Sequence, residues 1–177
     1  MLIRRVRDSD WEACAAVDLS YETEYAWQMD TTERTNEWNA GFRRVHLPRR
    51  LRMEHPIPED NRIAHWEAAE QCWIALEHRE VIGLIAVNLD LIGHQARISD
   101  LGVASDQRRQ GVGTALLGRA TEWCRRQRIP QLVLPCPLKA EPAIRFAIKH
   151  RFNFAGFQDD YWPGHEVAIL FYQRLRH

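Results

Sequence analysis

Between Ile98 and Leu117 a strand-like run, Ile98 to Val103, passes through the polar stretch Ala104–Gln110 to Gly111 and Gly113, and then into a helix-forming sequence. This junction constrains the fold more than any other feature. The two glycines remove side chains where a helix begins, and the first helical turn carries backbone N–H groups with no intrahelical acceptor at its positive dipole end. An anion is favoured there, and Arg108 with Arg109 makes a pyrophosphate a better fit than a single carboxylate. A bare Gly-x-Gly also serves as a tight turn, so the motif has to be weighed with its surroundings. The nucleoside-triphosphate loop is excluded because no Lys-Ser/Thr pair follows Gly113, and the dinucleotide fingerprint fails because position 116 is Leu116.

The elements around this junction follow from periodicity. Met1 to Val6 reads as an edge strand, and Asp8-Ser9-Asp10 caps a helix carrying Trp11, Cys14, Ala15 and Leu19 that ends near Tyr21. A second helix is expected from Thr31 to Arg44. From Arg43 to Arg52, with Pro48 inside and Pro56 and Pro58 following, no single regular helix fits, and a loop or broken helix is expected. Its arginines are either a solvated face or a contact for an anionic ligand or partner. Cys72–Glu77 and Val81–Asp90 make a hairpin turning at Arg79-Glu80, and Ala96–Val103 is a third strand. Gly111–Arg126 is a helix with Val112, Ala115, Leu116, Ala120, Trp123 and Cys124 inward. Gln131–Cys136 is a buried strand closed by Pro135 and Pro137, Ala140–His150 a helix with Pro142 in its first turn, and Phe154–Gln158 and Val167–Arg174 two last strands. The order gives a mixed α/β layer architecture in a single domain over 1–177.

Composition narrows the function classes. Lys plus Arg and Asp plus Glu number 24 each, so no global basic excess drives binding to nucleic acid or to an anionic membrane. The longest apolar stretch, Val81 to Ile92, is broken by Asn88 and Asp90, and Met1–Arg5 lacks a secretory signal's apolar core, so a soluble cytoplasmic protein is expected. Cys14, Cys72, Cys124 and Cys136 form no C-x-x-C pair and read as buried free thiols. The eight histidines show no ligand spacing, and no metal is assigned.

Arg108 to Gly113, read as Arg-x-x-Gly-x-Gly after a strand ending Leu-Gly-Val, resembles the acyl-CoA loop of the GNAT acetyltransferase superfamily, and the element order resembles that family along nearly the whole chain. The resemblance implies the acyl-CoA N-acyltransferase fold, a central, splayed, mostly antiparallel sheet flanked by helices. It implies acetyl-CoA as co-substrate: backbone amides of Arg108, Arg109, Gln110, Gly111, Val112, Gly113 and Thr114 on the pyrophosphate, Leu101 and Val103 pairing with the pantetheine arm, and the Val103 amide on the thioester oxygen. Tyr21–Trp27, Gly111–Leu116 with Glu122-Trp123, and Glu166–Tyr172 also look like streptothricin acetyltransferases, which implies a small cationic amine acceptor.

The chain departs from the family pattern on the helix near its C-terminus. Ala147 stands where many members carry a tyrosine, Ala140 replaces an asparagine, Arg151-Phe152 replaces Gly-Phe, and a strand position acidic in some members is Arg97. An amine of pKa near 10 has about a thousandth of its molecules unprotonated at pH 7, so a base is wanted. Asp100 is the carboxylate closest to the expected thioester position and is the candidate base, directly or through water; the alternative is an ordinary strand hydrogen bond. Tyr161 or Tyr172 is a candidate proton donor, or the thiolate leaves unassisted. Tyr21, Glu22, Glu24, Tyr25 and Trp27 interleave aromatics with carboxylates, as do Asp159, Asp160, Tyr161 and Trp162, and either group suits an ammonium; the other reading is a solvated loop. Three functions compete: N-acetylation of a small amine, acetylation of a protein terminus or lysine, and an acyl-CoA-binding sensor. Val167–Tyr172 is either internal core or the seam of a homodimer.

Overall fold

The computed structural model describes residues 1–92, 94–162 and 164–175. Among these, β1 (Leu2–Arg5), β4 (Gln71–Glu77), β5 (Glu80–Asp90), β6 (Gln95–Val103), β7 (Gln131–Pro137), β8 (Asn153–Trp162) and β9 (Glu166–Arg174) form one sheet in the order β1-β4-β5-β6-β7-β9-β8. Neighbours run antiparallel except β6 and β7, which are parallel. The four helices described are α1 (Trp11–Ala15), α2 (Glu59–Glu67), α3 (Val112–Arg126) and α4 (Glu141–Lys149).

Alternation along β4 and β5 builds a core on each face of the sheet. Trp73, Ala75, Ile85 and Val87 pack with Leu116, Ala120 and Cys124 of α3 and with Ile144 of α4. The intervening Cys72, Ile74, Leu84 and Ala86 pack with Cys14, Leu19 and Trp66 on the α1–α2 side. Val112, Leu116, Leu117, Ala120, Thr121 and Cys124 are the buried stripe of α3, close to the expected face. All four cysteines are free and buried. No helix among the described residues is long and apolar enough to cross a membrane.

Three expectations fail between residues 16 and 53. The first helix stops at Ala15 rather than near Tyr21, so Leu19 reaches the core from the segment that follows. The expected helix over Thr31–Arg44 and the expected loop over Arg43–Arg52 are instead one long hairpin, β2 (Tyr21–Arg34) and β3 (Glu37–Met53). Cross-strand pairs hold it together: Tyr25 sits opposite His46 with ring centroids 4.9 Å apart, and Arg43 reaches Asp30 at 3.0 Å. The register slips between Thr23 and Tyr25, where Leu47–Arg50 bulge out. Pro48 lies in that bulge, where its missing N–H costs no ladder bond. Helix α2 was not anticipated. Strand β9 lies between β7 and β8, so Val167–Tyr172 is interior and is not a seam for a second subunit.

Candidate active site

Strands β6 and β7 pair at Gln95–Gln131, Ala96–Leu132 and Arg97–Val133, and then part. The cause is in β7. Leu175 donates to the Pro130 carbonyl at 2.8 Å, so even-numbered peptide groups of β7 turn towards β9 and odd-numbered ones towards β6. Pro135 and Pro137 therefore lack a donor on the β6 side, and the ladder to β6 ends while that to β9 continues. A cleft of about 360 Å³ opens between Ser99–Val103 on one side and Leu134, Pro135 and Pro137 on the other.

The upper end of the cleft is the start of α3. Ala104 donates to Ile82 of β5 at 3.0 Å, so the neighbouring Val103 and, two residues back, Leu101 turn their N–H and C=O groups to the open edge. Gly111 caps α3 at φ 90°, and Arg109 is also left-handed at φ 66°. The first helical bond runs from Ala115 to Gly111, which leaves the amides of Val112, Gly113 and Thr114 free of intrahelical partners. A Cβ at Gly111 would meet no protein atom within 4 Å, whereas one at Gly113 would stand 3.3 Å from Phe146. The first glycine faces open space in the cleft wall, and the second lets α3 approach α4. Two side chains are turned inward on the protein: Arg108 Nε donates to the Val103 carbonyl at 2.9 Å, and Gln110 Nε2 to the Asp106 carbonyl at 3.2 Å. Burial lowers the Arg108 pKa. Thr114 Oγ1 lies 3.1 Å from His150 Nε2. The donors left free at this end of the cleft are thus chiefly backbone amides.

At the other end, Asp100 is buried. Its Oδ2 accepts from Trp66 Nε1 at 2.6 Å, and its Oδ1 lies 3.0 Å from His55 Nε2. Burial alone would raise its pKa, yet the hydrogen bonds from His55 and Trp66, with the nearby imidazole charge, lower it. Each carboxylate oxygen thus has one protein partner, and Asp100 lines the cleft. Ser99 is the extra residue where the β5–β6 register slips between Ala86 and Val87, and its buried Oγ has no partner among the described residues.

Of the expected acceptor residues, the cleft takes Tyr21 and Trp162. Glu22 and Glu24 are exposed and bound to Arg50 at 3.2 and 2.9 Å. Trp27 Nε1 donates to buried Glu141 at 2.8 Å, and Tyr25 lies under the Arg44 guanidinium, 3.4 Å from it. Asp160 pairs with His165, Asp159 is exposed, and the Tyr161 hydroxyl accepts from Arg97 at 3.2 Å. Glu22, Glu24, Trp27, Asp159, Asp160 and Tyr161 are not among the residues that line the cleft. Tyr172 sits mid-strand opposite Val133 and Asn153, and Ala147 is buried. Sequence reading missed His55, Trp66 and Ser99. Among the described residues no cluster of His, Cys, Asp and Glu has the arrangement of a metal site.

Residues 32–154 match the Acetyltransferase (GNAT) family. The chain belongs to this family. It is 33% identical over 98 residues to streptothricin acetyltransferase A of Bacillus subtilis (strain 168), a match covering 53% of this chain and 56% of that relative. The chain thus spans little more than half the length of that curated relative. Its fold superimposes on a crystal structure of nourseothricin acetyltransferase with TM-score 0.84 at 22% identity, covering 99% and 98% of the two chains. A protein of Bacillus anthracis str. Ames, assigned as a streptothricin acetyltransferase and solved with acetyl coenzyme A, gives 0.75 at 21% identity over 98% of each chain. The architecture is therefore the acyl-CoA N-acyltransferase fold, with helices flanking a mostly antiparallel, splayed sheet.

Proposed function

We propose that residues 1–177 form one acyltransferase unit that moves the acetyl group of acetyl-CoA to a primary amine of a small cationic molecule of the streptothricin kind, by direct attack in a ternary complex. The observation that carries this reading is the parting of β6 and β7 over the free N-terminal amides of α3. The free amides of Val112, Gly113 and Thr114, with those of the Arg108–Gly111 loop, form a nest for the pyrophosphate. The exposed peptide edge at Leu101 and Val103 accepts an extended amide-bearing arm as an added strand. The Val103 N–H then faces the thioester oxygen, a contact of a kind worth roughly 3 kcal/mol at a reacting carbonyl. Arg108 fixes the Val103 peptide from its carbonyl side, and Arg109 adds charge at the cleft rim. The acceptor enters past Tyr21, His55 and Trp162. A reducing, cytoplasmic setting suits four unpaired thiols.

The similarity to streptothricin acetyltransferases supports the acceptor class. The test is calorimetric titration with acetyl-CoA, followed by thiol release with streptothricin, aminoglycosides, polyamines and basic peptides. Saturable binding with turnover confined to small polyamines or streptothricin-type amines is expected. Turnover on peptides alone would transfer the reading to a protein acetyltransferase, and binding without turnover on any acceptor would leave only a sensor.

A further inference from the structure

We infer that Lys149 and Arg145 of α4 form a seat for a phosphate group separate from the free amides at the start of α3, and that the phosphate it takes is the ribose 3′-phosphate of coenzyme A. This deepens the acetyl-CoA reading above and rests on it. The two side chains line the cleft one helical turn apart, so their Cβ atoms stand about 5–6 Å from each other on one flank of α4. Phe146 and His150 form the neighbouring row, and both pack on the start of α3. A Cβ at Gly113 would stand 3.3 Å from Phe146, His150 Nε2 lies 3.1 Å from Thr114 Oγ1, and the two ring centroids are 4.3 Å apart. Burial lowers the His150 pKa and the Lys149 ammonium lowers it further, so that charge stands close to the ring that touches Thr114.

Charge is the second observation. Among the described residues the cleft wall carries Arg108, Arg109, Arg145 and Lys149, with Asp100 as its one carboxylate, and Asp100 lies at the far end on His55 and Trp66. Arg108 Nε is turned onto the Val103 carbonyl, and the free amides of Val112, Gly113 and Thr114 already suit a pyrophosphate. The cations of α4 come from a different element and exceed what that group needs.

The protein itself compensates these two cations poorly. Lys149 makes no ion pair or hydrogen bond among the described residues. Arg145 Nε lies 3.5 Å from Glu141 Oε1, an oxygen that already accepts from Arg44 at 2.6 Å. Like charges at i and i+4 repel, and the C-terminal dipole end of α4 suits one cation without removing that repulsion. A phosphomonoester set between them does remove it, with a charge of about −1.5 to −2 at pH 7 and three acceptor oxygens. Coenzyme A carries such a group on its ribose. On the reading above the pantetheine arm runs along β6 and the pyrophosphate sits at the start of α3, which leaves the adenosine at the outer end of the cleft, beside these two exposed side chains.

Calorimetric titration with coenzyme A and with 3′-dephospho-coenzyme A tests this without any acceptor. The unaltered protein should bind coenzyme A about tenfold more tightly, the worth of one hydrogen bond to a charged group, and the difference should shrink at high salt. Lys149→Met keeps an apolar stem; it should weaken coenzyme A by about tenfold and leave the dephospho form unchanged, so that the two ligands become equal. Arg145→Met should act in the same direction. Lys149 is exposed, and removing its charge should not lower Tm. Equal affinity of the unaltered protein for the two ligands would overturn the inference, and that comparison needs no variant. So would an equal loss for both ligands in Lys149→Met, which would assign Lys149 to the pyrophosphate or to the fold. No binding of either ligand would instead defeat the acetyl-CoA reading, and this inference with it.

Discussion

The glycine that caps α3 offers a way to separate ligand contact from stability. At Gly111 the backbone sits at φ 90°, ψ −2°, a region that costs an L residue about 1–2 kcal/mol. An added Cβ meets nothing of the protein within 4 Å, so that conformational term is the whole stability cost of Gly111→Ala. For a chain of this size it lowers Tm by roughly 2–8 °C. Gly111 lines the cleft, so on the proposed reading the new methyl takes up space meant for the pyrophosphate. Losing one charge-assisted amide contact there removes about 1.5–3 kcal/mol, which is roughly tenfold to hundredfold in acetyl-CoA affinity. Gly118 supplies the control. It is an exposed interior residue of the same helix with open space around it, so Gly118→Ala should raise stability by about 1 kcal/mol and leave affinity alone. Calorimetric titration of both variants, with thermal unfolding alongside, decides the matter. Equal acetyl-CoA affinity in the unaltered protein and Gly111→Ala, together with the expected fall in Tm, would refute the placement of the pyrophosphate on this loop.

Glu141 is buried at the start of α4 and accepts from Arg44 at 2.6 Å and from Trp27 at 2.8 Å; Glu141→Ala leaves the cation unpaired and should cost about 3 kcal/mol in urea unfolding. The thiols of Cys14 and Cys72 are pushed up to about 12 and that of Cys124 to about 11, and Cys136 higher still, all by burial. Ellman's reagent should accordingly label none in the native protein and all four in guanidinium, which also leaves the thiol-release assay free of background. On the acid side, the hydrogen bond from Arg4 holds the Asp10 carboxyl below its ordinary 3.8 against the opposing effect of burial, and Asp100 is lowered as well. Because both folded values are depressed, their stabilisation is complete above the ordinary value and is lost as pH falls from about 4 through the folded values. Thermal midpoints should drop over that interval, and Asp10→Asn should shrink the drop.

The elements that sequence reading located well are those whose signal is local. Alternation in Cys72–Glu77 and Val81–Asp90, the stripe of α3 and the glycines at its start each lie within one element, and each appears where periodicity puts it. The β2–β3 hairpin failed for the opposite reason. Its stabilising partners are Glu22 and Glu24 with Arg50, Asp30 with Arg43, and Tyr25 with His46, and at separations of 13 or more residues none has a helical or short-turn spacing. With few buried positions along either strand, no apolar alternation announced it, and the spacing of Trp38 and Phe42 imitated a helix. Pro48 was a valid argument against a regular helix but not against a strand with a bulge.

The same distinction explains why the end of the cleft at the start of α3 is legible in the sequence and the opposite end is not. Free amides at a helix start require only a contiguous motif, and Arg108–Thr114 supplies it. The opposite end is assembled across elements: Asp100 lies on β6, but its partners His55 and Trp66 come from the β3–α2 connection and from α2, an element the sequence pattern does not announce. Gly102 belongs to this assembly, because a Cβ there would stand 2.5 Å from Leu19 Cδ2. Its absence lets the segment leading into Tyr21 lie against β6. Proline acts in the same way on the far wall, where the sequence pattern has Pro135 and Pro137 closing a strand. They lie inside β7 and withhold donors from β6 alone, so one strand keeps its place in the sheet through β9 while releasing the edge that faces the cleft.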